Sequence, residues 1–295
     1  MTTKPPVDIP EQAWPLFDRY VHGDLSRRGF LDQAARFAGG PAGAAALLAA
    51  LSPDFAGAQQ VKPDDPRLVI RRQAFDSPQG NGKVQGYLAR PASAAGKLPA
   101  VLVVHENRGL NPHIEDVARR VALAGYVAYA PDALAPLGGY PGDEDKAREL
   151  FGKLDAPKAR ADIVAAGLAL LALPEGNGKV GVVGFCWGGS LANHVATQMP
   201  ELRVAVPFYG GAPAGEDAAR IKARLLLHYA ANDERVNAAW PPYEAALKAA
   251  GVRYEMFSYA GTQHGFNNDT TPRYDPVAAQ LAWERTLAAF KQALT

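Results

Sequence analysis

The chain has 295 residues, 48% of them hydrophobic and 21% charged, with a formal net charge of +1. That composition supports one large domain with a full core, and it lacks the like-charge blocks that would mark a partner such as nucleic acid or an anionic membrane. The single cysteine excludes an internal disulfide, and no Cys or His spacing fits a structural zinc site.

The first 58 residues read as an address rather than a fold. Ser26-Arg27-Arg28-Gly29-Phe30-Leu31 is a twin-arginine pattern, Phe37 to Pro53 is uncharged and rich in alanine and glycine, and Ala56-Gly57-Ala58 precedes Gln59. This order predicts a signal segment over 1–58, read by twin-arginine export machinery and removed after Ala58, with residues 59–295 delivered to a bacterial periplasm. The alternative is an uncleaved amphipathic helix in a cytoplasmic protein, which the acidic residues Asp8, Glu11, Asp18 and Asp24 favour. The apolar stretch falls short of the roughly 20 residues a membrane span needs.

From Pro66 onward short apolar runs alternate with helical patterns. Val69–Phe75 and Lys83–Arg90 read as paired strands around the turn formers Ser77 to Gly82. Ala100–His105 is a continuous apolar run suited to a strand covered on both faces, Ile114–Ala124 an amphipathic helix ended by Gly125, and Tyr126–Ala130 the next strand. Ala161–Leu173 reads as helix, Lys179–Phe185 as strand and Ser190–Met199 as helix. Val204–Tyr209 and Leu225–Tyr229 follow as buried strands, then a helix from Pro242 to Ala250, a strand over Tyr254–Tyr259 and a closing helix over Pro276–Leu294. The alternation predicts an α/β fold in one domain, with a mostly parallel sheet, helices on both faces and ligands at the carboxyl ends of the strands.

Cys186 lies in Gly184-Phe185-Cys186-Trp187-Gly188-Gly189, between a predicted strand and a predicted helix. Glycines on both sides of a reactive residue suit a sharp strand-to-helix turn that lifts one atom out of the sheet. A thiol at a helix N-terminus meets the positive end of the dipole, which favours the attacking thiolate. The expected partners follow in order. Asp233 lies in the loop after Leu225–Tyr229, beside the competing Glu234, and His264 lies in the loop before the last helix. In this reading His264 takes and returns the proton while Asp233 fixes its tautomer. The backbone N–H groups of Asn107, after the strand ending at His105, and of Trp187 are candidates for an oxyanion hole. His22 is assigned to the leader and His228 to the core. His105, Glu106 and His113 lack the H-E-x-x-H spacing, so neither metal nor cofactor is expected.

The elbow, the run His105-Glu106-Asn107-Arg108-Gly109-Leu110-Asn111, Ala130-Pro131-Asp132 and His264-Gly265-Phe266 together resemble the dienelactone hydrolase family over about Arg67 to Leu294. The resemblance implies an α/β-hydrolase fold and a carboxymethylenebutenolidase-type reaction on a small ester or lactone. It also implies a Cys186, Asp233, His264 triad that works through an acyl-thioester, with Glu106 restraining the resting thiol. Two arginines that such enzymes use to grip a substrate carboxylate fall here on Pro136 and Asn268, which leaves a broad-specificity carboxylesterase open as the alternative. A non-catalytic thiol sensor or binder is a third reading. Leu134, Leu137 and Tyr140 are expected to wall the substrate pocket.

Overall fold

The computed structural model describes residues 9–295; residues 1–8, Asp8 included, lie outside that range. Eight strands form one sheet: β1 (Leu68–Ser77), β2 (Gly82–Pro91), β3 (Leu98–Val104), β4 (Val127–Pro131), β5 (Gly176–Phe185), β6 (Val204–Phe208), β7 (Arg224–Asn232) and β8 (Tyr254–Gln263). Their spatial order is β1-β2-β4-β3-β5-β6-β7-β8. β1 and β2 form an antiparallel hairpin, β2 meets β4 antiparallel, and every pairing from β4 to β8 is parallel.

The residues of β3 show why the sheet is covered on both sides. Val101 and Val103 join the core against helix α5 (Pro112–Leu123) and the terminal helix α11 (Pro276–Leu294), with Ile114, Val121 and Phe290. Ala100, Leu102 and Val104 face the opposite core, against helices α7 (Ala156–Leu171) and α8 (Trp187–Gln198), with Ile163, Leu170 and Val195. Period-two alternation of an all-apolar run thus feeds two hydrophobic layers from one strand. Helix α10 (Trp240–Ala249) packs on the second layer through Tyr243 and Leu247.

Several boundaries differ from expectation for local reasons. α7 begins five residues earlier because Asp155 caps it, accepting from the Lys158 N–H at 3.2 Å, with Pro157 in the first turn. Helix α6 (Glu144–Phe151), which Asp143 caps, buries only Ala147 and spans just over two turns, too short for its apolar spacing to stand out in the sequence. α8 begins directly after Cys186, three residues before the expected start, because the glycines there serve the elbow rather than interrupt the helix.

The N-terminal residues fold onto this domain. Helices α1 (Ala13–His22), α2 (Arg27–Ala34) and α3 (Pro41–Leu51) share a small core that includes Leu16, Phe17, Phe30, Leu47 and Leu51. A short helix α4 (Phe55–Ala58) follows. The apolar stretch expected of a signal is thus an 11-residue helix, and among the described residues no helix is long and apolar enough to cross a membrane. Of the twin arginines, Arg27 pairs with Asp145 and Arg28 is exposed. The chain is then tied down beyond the helices, where the Val61 N–H donates to Asp116 Oδ1 at 2.8 Å and buried Arg119 donates to the Val61 carbonyl at 2.8 Å.

Candidate active site

Cys186 sits between β5 and α8 in a left-handed backbone conformation, φ 56° and ψ −113°, which a residue with a Cβ adopts at a cost of about 1–3 kcal/mol. The neighbouring glycines show what holds it there. A Cβ on Gly184 would lie 1.9 Å from the Gly188 carbonyl oxygen, one on Gly188 would lie 2.3 Å from that of Val104, and one on Gly189 would lie 2.4 Å from that of Phe208. The elbow is therefore closed backbone against backbone, and only hydrogen fits at these three positions. Among the described non-glycine residues only Tyr209 shares a positive φ, at 38°, and its ring packs beside His264 with centroids 5.0 Å apart.

The loops after β7 and β8 bring the other two predicted partners together. β7 and β8 are parallel neighbours, and their carboxyl ends place Asp233 beside His264. His264 Nδ1 donates to Asp233 Oδ2 at 2.5 Å, and both side chains are buried. Glu234, exposed and first in the short helix α9 (Glu234–Asn237), takes no part. The Asp233 Oδ1 atom also accepts from the Val236 N–H at 3.3 Å, so one carboxylate both caps the turn and orients the imidazole. With Nδ1 committed, His264 Nε2 remains buried without a hydrogen-bond partner, and a ring nitrogen of His264 lies within 4.8 Å of Cys186 Sγ.

Electrostatics favour an ion pair here. Burial raises the Cys186 thiol, but the neighbouring charges of His264 and His22 and the His22 contact outweigh it and draw it down to about 5. Burial opposes the His264 cation, while the Cys186 charge and the bond to Asp233 raise it above the usual imidazole value. A thiolate beside an imidazolium is the result.

The oxyanion candidates flank Cys186. β3 and β5 run parallel with Val104 beside Gly184, so the loop carrying Glu106 and Asn107 abuts the elbow. Trp187 is the first residue of α8, where an N–H has no carbonyl within the helix to receive it. Its indole stacks on His105 at 5.1 Å and 17° and meets the Phe151 ring edge-on. His105 is itself structural: Nδ1 donates to the Glu106 carbonyl at 2.5 Å and Nε2 accepts from the Ala133 N–H at 3.1 Å. The Asn107 side chain donates to the Val21 carbonyl at 2.9 Å.

Glu106 differs from what the resemblance implies. Its Oε2 accepts from Asn268 Nδ2 at 2.8 Å, and among the described residues no hydrogen bond joins it to Cys186. The group at the sulfur is His22, with Nε2 3.7 Å from Sγ. Its only signal in the sequence is a place four residues after Asp18, which does not distinguish it from a surface histidine.

A cavity of about 340 Å³ opens beside this centre, between α1 and the domain, bordered by Tyr20, Val21, Glu106, Asn107, Asn268 and Arg273. Tyr140 lines it, as expected, whereas Leu134 is buried in the domain and Leu137 points to solvent. Pro136 lies on the turn after Leu134 and contributes no charge. His22, Cys186 and His264 offer donor atoms within 4.8 Å of one another, a spacing that a metal ion accepts. The Arg235 guanidinium, 3.0 Å from His22 Nε2, sets a positive charge against that use. Among the described residues His105, Glu106 and His113 form no such group. His228 is a core residue, held by Tyr259 at 2.8 Å and Thr286 at 3.2 Å.

A mostly parallel sheet, a sharp strand-to-helix elbow carrying Cys186 at its centre and an Asp–His couple at the neighbouring strand ends define the α/β-hydrolase fold. The chain belongs to the dienelactone hydrolase family, whose model matches residues 84–294, and is with it a carboxylic ester or lactone hydrolase. Residues 1–39 separately match a model described as YqhI-like. A "Putative hydrolase fragment YghX" of Escherichia coli is 58% identical over 112 residues, covering 38% of this chain and 96% of the relative. A "Putative carboxymethylenebutenolidase" of the same organism is 31% identical over 230 residues, covering 73% and 84%. The crystal structure of a "Putative Dienelactone Hydrolase" from Klebsiella pneumoniae superposes with a TM-score of 0.67 at 30% identity, over 76% of this chain and 99% of that one. A mutant of the esterase rPPE shares the fold at 19% identity and a TM-score of 0.63 over 99% of both chains, a span that takes in the N-terminal helices.

Proposed function

We propose that the chain hydrolyses a neutral ester or enol-lactone through an acyl-thioester on Cys186, with His264 and Asp233 completing the triad. The observation that carries this reading is the strained Cys186 within reach of an imidazole whose other nitrogen is fixed by Asp233 at 2.5 Å. The thiolate attacks the carbonyl carbon, and the developing oxyanion meets the Trp187 N–H and the Asn107 loop. His264 then gives its proton to the departing alkoxide or enolate. Water, deprotonated by His264, attacks the thioester, the C–S bond breaks, and the carboxylic acid leaves with Cys186 again a thiolate. Each oxyanion donor in such a site is worth about 2.7–4 kcal/mol of barrier.

The charge of the cavity supports a neutral substrate. Arg108 is 3.7 Å from Glu144, and Arg273 is 3.6 Å from Asp18 and lies over the Phe17 ring. Both guanidinium groups already face a carboxylate, and a buried substrate carboxylate without its own cation binds poorly. A panel of neutral and carboxylated esters and lactones tests this. Neutral substrates are expected to show kcat/KM about tenfold or more above their carboxylated counterparts, the equivalent of one lost charged hydrogen bond. A preference for carboxylated lactones would overturn the substrate assignment, and turnover of none would overturn the function.

A further inference from the structure

His22 is the last residue of α1, and Gly23, in the left-handed conformation with φ 90°, turns the chain away directly after it. The Val21 carbonyl beside it accepts from Asn107 Nδ2 at 2.9 Å and from Arg108 at 3.2 Å, so the loop proposed to receive the oxyanion also fixes the backbone that carries His22. The His22 ring meets the His264 ring edge-on, with centroids 5.1 Å apart, and Nε2 stands 3.7 Å from Cys186 Sγ. Its far nitrogen, Nδ1, donates to the Asp18 carbonyl at 2.8 Å and lies 3.3 Å from Asp18 Oδ1. The sulfur is thus flanked by two imidazoles, each with an aspartate behind it: the Asp233 carboxylate is hydrogen-bonded to His264, and Asp18 meets His22 through its carbonyl, with its carboxylate 3.3 Å away.

We propose that His22 is a second imidazole of the catalytic centre, paired as a cation with the Cys186 thiolate, so that residues 9–58 are part of the working hydrolase. The proposal rests on Cys186 being the nucleophile. His22 keeps its proton throughout, so no bond forms or breaks at it. It steadies the thiolate before attack and again when the thioester C–S bond breaks, while His264 carries the proton to the leaving group.

The surroundings fit this charge. Burial opposes an imidazolium at His22, but the bond to Asp18 and the neighbouring Cys186 raise it to about 10. Burial likewise opposes the Asp18 carboxylate, and His22, His264 and Arg273 together bring it down to about 2. The end of α1 adds the negative pole of the helix dipole. The groups facing His22 are Asp18 on its own helix, Cys186 at the start of α8, His264 after β8, and Arg235 on α9. Arg235, 3.0 Å from Nε2, and the His264 ring, with its centroid 5.1 Å away, are the like charges that oppose it. Arg235 is exposed, so solvent screens its charge at Nε2.

The test compares the full-length chain with His22→Gln and Asp18→Asn, reading the rate at which iodoacetamide alkylates Cys186 as a function of pH. Removing an opposite charge at this range is expected to raise the thiol midpoint by about 1–3 units, which slows alkylation at pH 6 by about twofold at the low end and about ninetyfold at the high end in His22→Gln, and by less in Asp18→Asn. The acid limb of kcat/KM moves with it. A His22→Gln profile that superimposes on the wild type overturns the proposal. Should the variants fail to fold, the wild type decides by NMR: the His22 titration midpoint is expected to fall once Cys186 is alkylated, and an unchanged midpoint refutes the pairing. Absence of ester turnover in the wild type would sink the hydrolytic reading of Cys186 but leave the alkylation profile to judge His22. The N-terminal residue of the protein recovered from its cell adds an independent check. A chain beginning before His22 is expected, whereas one beginning at Gln59 has lost the group and contradicts the proposal.

Discussion

Cys186→Ala is expected to lower kcat on a neutral aryl ester by about 10⁴-fold or more while leaving the fold and its melting transition close to the wild type. The rate falls because covalent catalysis is lost outright, and removing the nucleophile of a triad costs about as much as removing the whole triad. The fold survives because the side chain is half-buried and small, and because the elbow is closed by the Gly184, Gly188 and Gly189 contacts rather than by the thiol. Alanine keeps the positive φ and its strain, so the backbone is asked to do nothing new. Steady-state kinetics beside circular dichroism separates the two effects, and a variant that retains wild-type kcat would remove Cys186 from the mechanism.

The second large effect falls on the acid. Asp233→Asn is expected to reduce kcat by about 10⁴-fold, since an amide at this position offers an N–H to His264 Nδ1 and inverts the tautomer. Glu234→Gln provides the comparison within the same turn. Glu234 is exposed and bonds to neither His264 nor Cys186 among the described residues, so its variant is expected within a few-fold of the wild type. Equal losses in both would show that the turn as a whole is being disturbed, and a larger loss in Glu234→Gln would reverse the assignment. Asp233 also caps α9, so a fraction of its effect is local stability of about 1 kcal/mol, which a denaturant midpoint reads separately.

The sheet and the order of the site were legible in the sequence because they rest on local signals. An apolar run such as Ala100 to Val104 can hardly be anything but a doubly covered strand, and the elbow glycines are dictated by contacts within a few residues of Cys186. The Cys186, Asp233 and His264 positions follow from strand ends that alternate regularly with helices. His22 was not legible, because its role depends on α1 docking across Val21, Asn107 and Arg108, contacts separated by more than eighty residues in sequence. The alanine-rich stretch around α3 is ambiguous for a related reason: a small hydrophobic helix and the apolar part of a signal share one composition, and the packing of Leu47, Leu48 and Leu51 with Phe17 and Phe30 has no local signature. Glu106 rests on resemblance alone, and its contact with Asn268 joins residues 162 positions apart, which no local signal foretells.

The most direct test of the account is the mass of the enzyme quenched in acid within one turnover of a neutral aryl ester. The mechanism predicts a species heavier by the acyl group, mapped to the peptide holding Cys186, labile to hydroxylamine as a thioester is, and absent from Cys186→Ala. Turnover without that adduct in the wild type, or an adduct that persists in Cys186→Ala, would contradict it.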